Sequence, residues 1–388
     1  MLKYWLWLST RRGLTPFGIC QIARRFSGAE QAFYASDDSY HGIPGVTHTD
    51  SLMDKDLTQA EAIIAACTQA GIRIVTMQDA AYPARLRALD DAPVVLYCKG
   101  NLQDLNGPSV AVIGTRKSSV YGLTQAKRFG HGLAQCGCTV ISGGAIGVDT
   151  EALRGALLAG GPVVAVLGCG LDVNYPKPNY HLFRQVEQCG CLISEFPPGT
   201  EPYASNFPRR NRVISGMSLG VLITEAPAKS GALITADLAL EQGRDVFVLP
   251  ANVGVSNFDG NLKLLRDGAQ PVGTAWDILQ EYAAQYPALC KKEETNLLQE
   301  EPKVEQTEKK VIDKPKPKAY IDVKDILPQL TSEERALVEL LQSGPMHIDD
   351  LVEQTGMTAG GALASLTVLE VKKVVCRPSP RMYELANN

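Results

Sequence analysis

A turn that carries both cationic and hydroxyl side chains follows the apolar run from Val110 to Ile113. The run is typical of a strand buried on both faces, and Gly114 then allows a tight turn. The turn continues as Thr115, Arg116, Lys117, Ser118, Ser119. A helical pattern begins near Leu123, and the free amides of a helix N-terminus beside a guanidinium would bind phosphate. The alternative is an ordinary connection with solvated basic residues, since the spacing matches neither the dinucleotide fingerprint nor the Walker loop.

Similar turns follow other predicted strands. The strands are predicted at 110–113, 139–141, 162–167, 192–194, 221–224 and 246–249, with helical patterns between them. This alternation predicts a doubly wound parallel sheet, whose ligands lie at the carboxyl ends of the strands. Ser142 and Gly143 follow the second strand, whereas Lys229, Ser230 and Gly231 come after the fifth. We therefore expect these turns to form one phosphate-binding surface at the edge of the sheet.

A further cationic group lies in residues 207–212, Phe-Pro-Arg-Arg-Asn-Arg. Pro208 is well suited to the start of a helix, so the first turn would carry three arginines and an asparagine. Cations oppose the dipole at a helix N-terminus, which indicates that they serve to bind an anion. Ion pairs with Glu195 or Glu201 are the alternative.

Other patterns give no clear catalytic site. Asp149 and Glu151 could be a carboxylate pair, but we favour Asp149 as a helix cap and Glu151 as a first-turn residue. The pairs Cys136-Gly-Cys138 and Cys189-Gly-Cys191 are spaced more tightly than the usual zinc hairpin, so we predict small buried residues. The five histidines lack metal-ligand spacing, and no Ser-His-Asp or Cys-His arrangement is recognisable. We predict no metal, no cofactor and no enzymatic activity.

Length and composition predict several domains. A chain of 388 residues usually forms two or three domains. The formal net charge is -4, so any affinity for nucleic acid requires a local cationic patch. The N-terminal apolar stretch is too short for a signal peptide and no run could cross a membrane, so we expect a cytoplasmic protein. We predict a helical N-terminal module at 1–68, an α/β domain at 69–288, a charged disordered linker at 289–325 and a winged-helix domain at 326–388.

The two flanking modules are predicted from short helical patterns. Helices on either side of Gly13-Leu-Thr-Pro16 resemble a helix-hairpin-helix or SAM-like module, but the usual Gly-x-Gly is missing and we expect a packing role. Near the C-terminus, three helices and a hairpin of 374–376 with 382–385 indicate a winged helix. Its third helix, from Ala359, has almost no side chains that could read bases, so contact with protein and with DNA both stay open.

In combination and order, these stretches resemble the DNA-processing protein A family, DprA, also called Smf. The matching stretches include Asp79-x-x-Tyr82-Pro83, Val-Ile-Gly-Thr-Arg116, Ser142-Gly143, Phe207-Pro-Arg-Arg-Asn-Arg212 and Lys229-Ser-Gly-Ala-Leu-Ile-Thr-Ala236. The resemblance implies an extended Rossmann-like domain that binds single-stranded DNA and forms a homodimer. It also implies a non-enzymatic protein that helps load the RecA recombinase during natural transformation and recombination.

Matching positions in the family assign the site residues. Contact with phosphate is assigned to Gly114, Thr115, Arg116, Ser142, Gly143, Arg210, Asn211, Lys229, Ser230 and Gly231. Phe207 is expected to stack on a base. A second hypothesis is a nucleotide-phosphate enzyme of the lysine-decarboxylase-like phosphoribohydrolase type, which the glycine-rich turns and Glu225 at a strand end motivate. The Pro-Gly-Gly-x-Gly-Thr turn of that family is absent, since residues 142–147 read Ser-Gly-Gly-Ala-Ile-Gly.

Overall fold

The computed structural model describes residues 1–101, 105–292, 330–342, 344–372, 374–379 and 382–385. The chain divides into two compact units, Met1–Pro302 and Lys303–Asn388, and each is described by itself. Most of the linker predicted at 289–325 lies outside the described residues. In the described part, no helix is long and apolar enough to cross a membrane.

The described part of the first unit contains one nine-stranded sheet. Its strands are β1 Arg73–Thr76, β2 Val95–Gly100, β3 Ser109–Ile113, β4 Thr139–Ser142, β5 Val163–Leu167, β6 Cys191–Ser194, β7 Gly220–Ile223, β8 Asp245–Val248 and β9 Gln270–Pro271. Their order in the sheet is β1-β2-β6-β5-β4-β3-β7-β8-β9. The seven strands in the order β6-β5-β4-β3-β7-β8-β9 are parallel to one another, whereas β1 and β2 add an antiparallel extension beside β6. The predicted parallel sheet is confirmed, with this extension in addition.

α-Helices precede, connect and follow the strands in the described part of the first unit. They are α1 Leu2–Ser9, α2 Pro16–Arg25, α3 Ala29–Tyr34, α4 Asp50–Met53, α5 Thr58–Ala70, α6 Ala84–Arg87, α7 Val120–Gln135, α8 Val148–Leu158, α9 Tyr180–Cys189, α10 Asn206–Met217, α11 Gly231–Glu241, α12 Asp259–Arg266 and α13 Ala275–Leu279. Every residue of β3, β5, β6 and β7 is buried. Strands buried along their whole length are expected where helices cover both faces of a parallel sheet, and this explains their continuous apolar runs.

The N-terminal helices share the hydrophobic core of the sheet. Leu6, Trp7 and Leu8 of α1 are fully buried and belong to the same apolar cluster as the residues of β3. Thr15 caps α2, because its side chain accepts a hydrogen bond from the amide of Gly18. These helices therefore stabilise the antiparallel side of the domain by packing.

The second unit contains three helices and a small antiparallel sheet among its described residues. They are α14 Ser332–Leu341, α15 Ile348–Thr355, α16 Ala359–Val371, β10 Met346–His347, β11 Val375–Ser379 and β12 Met382–Leu385, and the strand order is β10-β12-β11. Leu337, Leu351 and Leu366 form the centre of its own core. The two-residue strand β10 was not predicted, since so short a segment carries no alternation. Leu363, on the third helix, is exposed.

Candidate nucleic-acid interface

The carboxyl ends of β3 and β7 mark the point where the strand order reverses. From β3 the chain continues to β4 on one side, and from β7 it continues to β8 on the other side. Such a switch point leaves a crevice, which is the usual ligand site of an open α/β sheet. A cavity of about 550 Å³ lies there. Its position agrees with the edge of the sheet that the strand-end turns predicted.

This cavity brings together most of the predicted site residues. It is lined by Gly114, Thr115, Arg116, Phe207, Arg210, Asn211, Lys229, Ser230 and Gly231, and also by Lys117, Asp149, Asn257 and Thr235, which were not assigned to the site. A second cavity of about 150 Å³ contains Gly143 in its wall and shares Arg116, Phe207 and Arg210 with the first. Both cavities belong to the first unit, so one continuous surface holds the predicted cations.

Three cations at the rim are available to a ligand. Arg116, Lys117 and Lys229 are exposed, and none of them forms an ion pair with a described residue. The Thr115 side chain accepts a hydrogen bond from the Lys117 amide at 3.2 Å, while the Thr115 amide donates to the Glu225 carbonyl at 2.7 Å. Thr115 therefore shapes the turn that presents Arg116 and Lys117.

Ser142 does not contribute its side chain to the cavity. It is fully buried, and its hydroxyl donates a hydrogen bond to the Val112 carbonyl at 2.7 Å. The predicted phosphate contact by Ser142 is therefore wrong for the hydroxyl group. At the last residue of β4, side-chain direction is set by the strand alternation, and this hydroxyl points towards the neighbouring strand β3.

Gly143 supports the site by its small size. Its amide donates to the Asp149 carboxylate at 3.1 Å, so this donor is already used within the protein. A Cβ at this position would lie 2.7 Å from Asp149 Oδ2 and 2.8 Å from Arg210 Nη1. Glycine is thus required for Asp149 and Arg210 to approach the turn.

Arg210 and Asp149 form a buried charged floor beneath the cavity. Arg210 is 5% exposed, and its Nη1 donates to the carbonyls of Gly143 and Val166. Burial lowers the pKa of Arg210 to about 10, with a further decrease from Arg116, whereas Asp149 opposes the shift. Burial raises the pKa of Asp149, and Arg210 counteracts this. Arg210 stays positive near neutral pH and is held in one position.

Asp149 is not the helix cap that the sequence predicted. The N-cap of α8 is Gly147, which makes no side-chain cap, and Asp149 is the second residue of the helix. Its carboxylate instead accepts from the amides of Gly143 and Ala145 in the preceding loop. The other carboxylate considered, Glu151, pairs with Arg154 at 2.6 Å and lies away from the cavity.

The remaining arginines of α10 are used in ion pairs. Arg209 Nε lies 3.1 Å from Glu195 Oε1, and Arg212 contacts both Glu195 and Asp91. The ion-pair alternative is therefore right for Arg209 and Arg212, whereas Arg210 lines the cavity and its anion binding stays a prediction. Glu201, the other partner considered, forms no ion pair with a described residue.

Phe207 separates the two cavities. Its ring is half-buried, with the guanidinium carbons of Arg116 and Arg210 at 5.2 and 5.9 Å from the ring centroid. The Tyr175 ring packs 5.7 Å away at a tilt of 41°. A Cβ on Gly168 would lie 2.9 Å from Phe207 Cδ1, so this glycine leaves room for the ring. The exposed part of the ring offers an apolar face between two cations.

Two helix N-termini lie beside the cavity, and they differ. At α11, the Ser230 side chain accepts from the Ala232 amide at 3.3 Å, and Ser230 and Gly231 line the cavity. At α7, the amide of Ser119 donates to the Glu225 carboxylate at 2.9 Å. The prediction of free amides at the start of α7 is therefore wrong, because a carboxylate of the protein occupies this helix end.

The cysteines give no metal site in the described part of the chain, where no cluster of three or more potential ligands occurs. Cys136, Cys138 and Cys191 are buried, as predicted for small apolar residues. Cys189 is exposed, so the prediction is wrong for this residue.

Comparison with known proteins identifies the family. The model of DNA recombination-mediator protein A matches residues 73–283, more than half of the chain, and that of the DprA winged helix domain matches residues 324–378. The chain belongs to the DNA recombination-mediator protein A family. The resemblance drawn from the motifs is thereby confirmed, together with the winged-helix prediction.

Three relatives each match more than half of the chain. The Protein Smf of Synechocystis sp. is 31% identical over 407 residues and covers 98% of both chains. The X-ray structure of DprA from Streptococcus pneumoniae superposes with a TM-score of 0.65 at 34% identity, covering 72% of this chain and 98% of that one. DprA from Helicobacter pylori, solved for insights into its single-stranded DNA binding mode, has a TM-score of 0.50 at 32% identity, covering 55% and 97%. This family member confirms the mixed α/β fold.

Proposed function

We propose that the protein binds single-stranded DNA along the cavity between the ends of β3 and β7. The observation that carries this proposal is the group of cations around one cavity, where Arg116, Lys117 and Lys229 have no ion-pair partner among the described residues. Because the net charge of the chain is -4, its overall electrostatic field does not attract a polyanion. A polyanion must therefore be bound by a local group of cations such as this one.

A single strand fits this surface better than a duplex. Proteins that bind single strands combine a cationic groove with aromatic side chains on which unpaired bases stack. Phe207 supplies such a ring beside Arg116 and the buried Arg210. A duplex keeps its bases stacked on one another and could use only the cations. The single-stranded DNA binding described for the Helicobacter pylori relative supports the same assignment.

A role without catalysis is favoured over the phosphoribohydrolase alternative. Asp149 is the one carboxylate among the described residues that line the cavity, and it is bound to two amides beside Arg210. Glu225 is fully buried and bound to Ser118, Ser119 and Asn257. Neither group is free to act as a general base. Incubation with nucleoside monophosphates and chromatography of any released base tests this part of the proposal, and release at enzymatic rates would contradict it.

Binding to a strand is one step of a larger proposed role. We propose that the protein forms a homodimer in the cytoplasm and helps load RecA onto single-stranded DNA in natural transformation and recombination. Membership of a recombination-mediator family supports this role. The test is whether the protein restores strand-dependent ATP hydrolysis by RecA on DNA coated with single-strand-binding protein. Light scattering after size exclusion tests the dimer.

Fluorescence anisotropy with a labelled dT20 and the matching duplex tests the binding proposal. We expect tighter binding of the single strand and a decrease in affinity with salt, with a slope of roughly -0.7 for each phosphate contact. Arg116→Ala should weaken binding and reduce that slope. Arg73→Ala is the matched control, because Arg73 is an exposed arginine on β1, at the far edge of the sheet. Equal affinities of the two variants would contradict the proposal.

A further inference from the structure

The Glu225 carboxylate lies in the place where a helix N-terminus would otherwise bind a phosphate group. It accepts hydrogen bonds from the Ser119 amide at 2.9 Å, from the hydroxyls of Ser118 and Ser119 at 2.8 and 2.7 Å, and from Asn257 Nδ2 at 2.7 Å. Amide and hydroxyl donors of this kind at the start of a 16-residue helix are those that bind phosphate in other proteins. The protein therefore supplies its own anion at this position.

The chain is built closely around this carboxylate. Glu225 is fully buried, and a Cβ on Gly122 would lie 1.8 Å from its Oε2, so only glycine allows the contact. All the side-chain partners that the described residues offer to Glu225 are neutral. The negative charge of Glu225 is consequently not balanced by an ion pair among the described residues, and it repels an anion that binds nearby.

The cavity is linked to this charge through one residue of its wall. Asn257 lines the cavity and donates a hydrogen bond to Glu225, so the carboxylate lies in the layer directly behind this part of the cavity wall. The repulsion between like charges grows in proportion to the charge of the ligand. An internal phosphodiester carries one negative charge, whereas a terminal phosphate or a mononucleotide carries nearly two at neutral pH.

We propose that Glu225 is a specificity-determining residue that closes the end of α7 to phosphate and makes the cavity select internal phosphodiesters over terminal phosphates and mononucleotides. This proposal rests on the proposed binding of single-stranded DNA. It gives the protein a means to bind the interior of a strand without inhibition by cellular nucleotides and phosphate.

Calorimetric titration with inorganic phosphate and with thymidine monophosphate, at constant ionic strength, tests the proposal. The variants are Glu225→Gln, which removes the charge at nearly constant shape, and the control Asp277→Asn. Asp277 also binds loop amides, those of Gly273 and Thr274, but it does not line the cavity. We expect Glu225→Gln to bind both phosphates at least about tenfold more tightly than the wild type and the control, which is ~1.4 kcal/mol. Its affinity for dT20 with hydroxyl ends should change by less than about threefold. Equal phosphate affinities in the three proteins would overturn the proposal.

A measurement on the unmodified protein covers the case in which the variant does not fold. We expect a 5′-phosphorylated dT4 to bind no more than about twofold more tightly than dT4 with hydroxyl ends, and a tenfold gain from the terminal phosphate would overturn the proposal. If the wild type binds no hydroxyl-ended strand at all, the proposed function fails. The phosphate titrations still report on Glu225 in that case, so the two failures are distinguishable.

Discussion

Replacement of Phe207 by alanine separates base stacking from phosphate binding at the candidate site. The half-buried ring lies between the two cavities and faces the guanidinium groups of Arg116 and Arg210. Stacking of one base on an aromatic side chain contributes about 1–3 kcal/mol, so we expect dT20 affinity to fall by about 5- to 150-fold. The slope of affinity against salt should stay unchanged, because no cation is removed.

The structure also predicts a modest cost in stability for this variant. The pair that Phe207 forms with Tyr175, at a centroid distance of 5.7 Å, contributes about 0.5–1.5 kcal/mol beyond the buried area. A thermal melt should therefore show a folded protein with a lower midpoint. Tyr203→Ala is a suitable control, since Tyr203 is an exposed aromatic residue that precedes α10 and lines neither cavity.

A strand with abasic sites completes the experiment. Anisotropy titrations of wild type and Phe207→Ala with dT20 and with an abasic strand of equal length form a double-mutant cycle. If Phe207 stacks on a base, the loss caused by Phe207→Ala should disappear on the abasic strand. An equal loss on both strands would refute the stacking argument and would assign Phe207 to packing alone.

Three further predictions concern buried polar contacts and small residues. Ser142→Ala should lower the free energy of unfolding by about 1–3 kcal/mol in a urea titration, since the Val112 carbonyl loses its buried donor, while dT20 affinity stays the same; a loss of affinity without loss of stability would contradict this. Gly143→Ala should abolish dT20 binding in the anisotropy assay, because its Cβ would lie 2.7 Å from the Asp149 carboxylate; unaltered binding would exclude this role for Gly143. A hydrogen bond from Lys372 lowers the pKa of Glu334. The stabilisation of the folded state by the ionised Glu334 is therefore present above pH 4.5 and is lost as the pH falls through the lowered pKa. Amide hydrogen exchange of α14 should become faster in that low pH range in the wild type but not in Glu334→Gln. Identical pH profiles of the two proteins would contradict this.

The position of the site could be predicted from the sequence, because it follows from topology. Alternating apolar runs and helical patterns indicate a parallel sheet, and the turns after β3 and β7 lie at the same edge once that sheet forms. Arg116 and Lys229, which are 113 positions apart in the chain, are brought to one cavity in this way. The family motifs pointed to the same turns.

The direction of individual side chains was harder to predict. Arg209 and Arg212 are three residues apart on α10 and share the helix face towards Glu195, whereas Arg210 lies on another face and reaches the cavity floor. Helical periodicity could have separated these arginines. For Ser142, the position of the end of the strand decides whether the hydroxyl points into the core or into the cavity. A shift of one residue reverses the answer, and a single sequence does not define the end of a strand that closely.

The role of Glu225 depends on contacts between distant segments. Its partners Ser118 and Asn257 belong to turns that follow different strands, and Asn257 has no local signal that distinguishes it from any loop asparagine. The sequence shows both a helix start rich in serine and an acidic residue after a neighbouring strand. Only the three-dimensional structure shows that the Glu225 carboxylate binds the N-terminus of α7.

The distribution of tryptophan has a practical consequence for all of these measurements. Trp5 and Trp7 lie in α1 and Trp276 in α13, so the three tryptophans of the chain all belong to the first unit. Tryptophan emission therefore reports on the first unit. The three indoles also lie outside the lining of both cavities, so an emission change on adding DNA would report a rearrangement of the domain rather than direct quenching by a base.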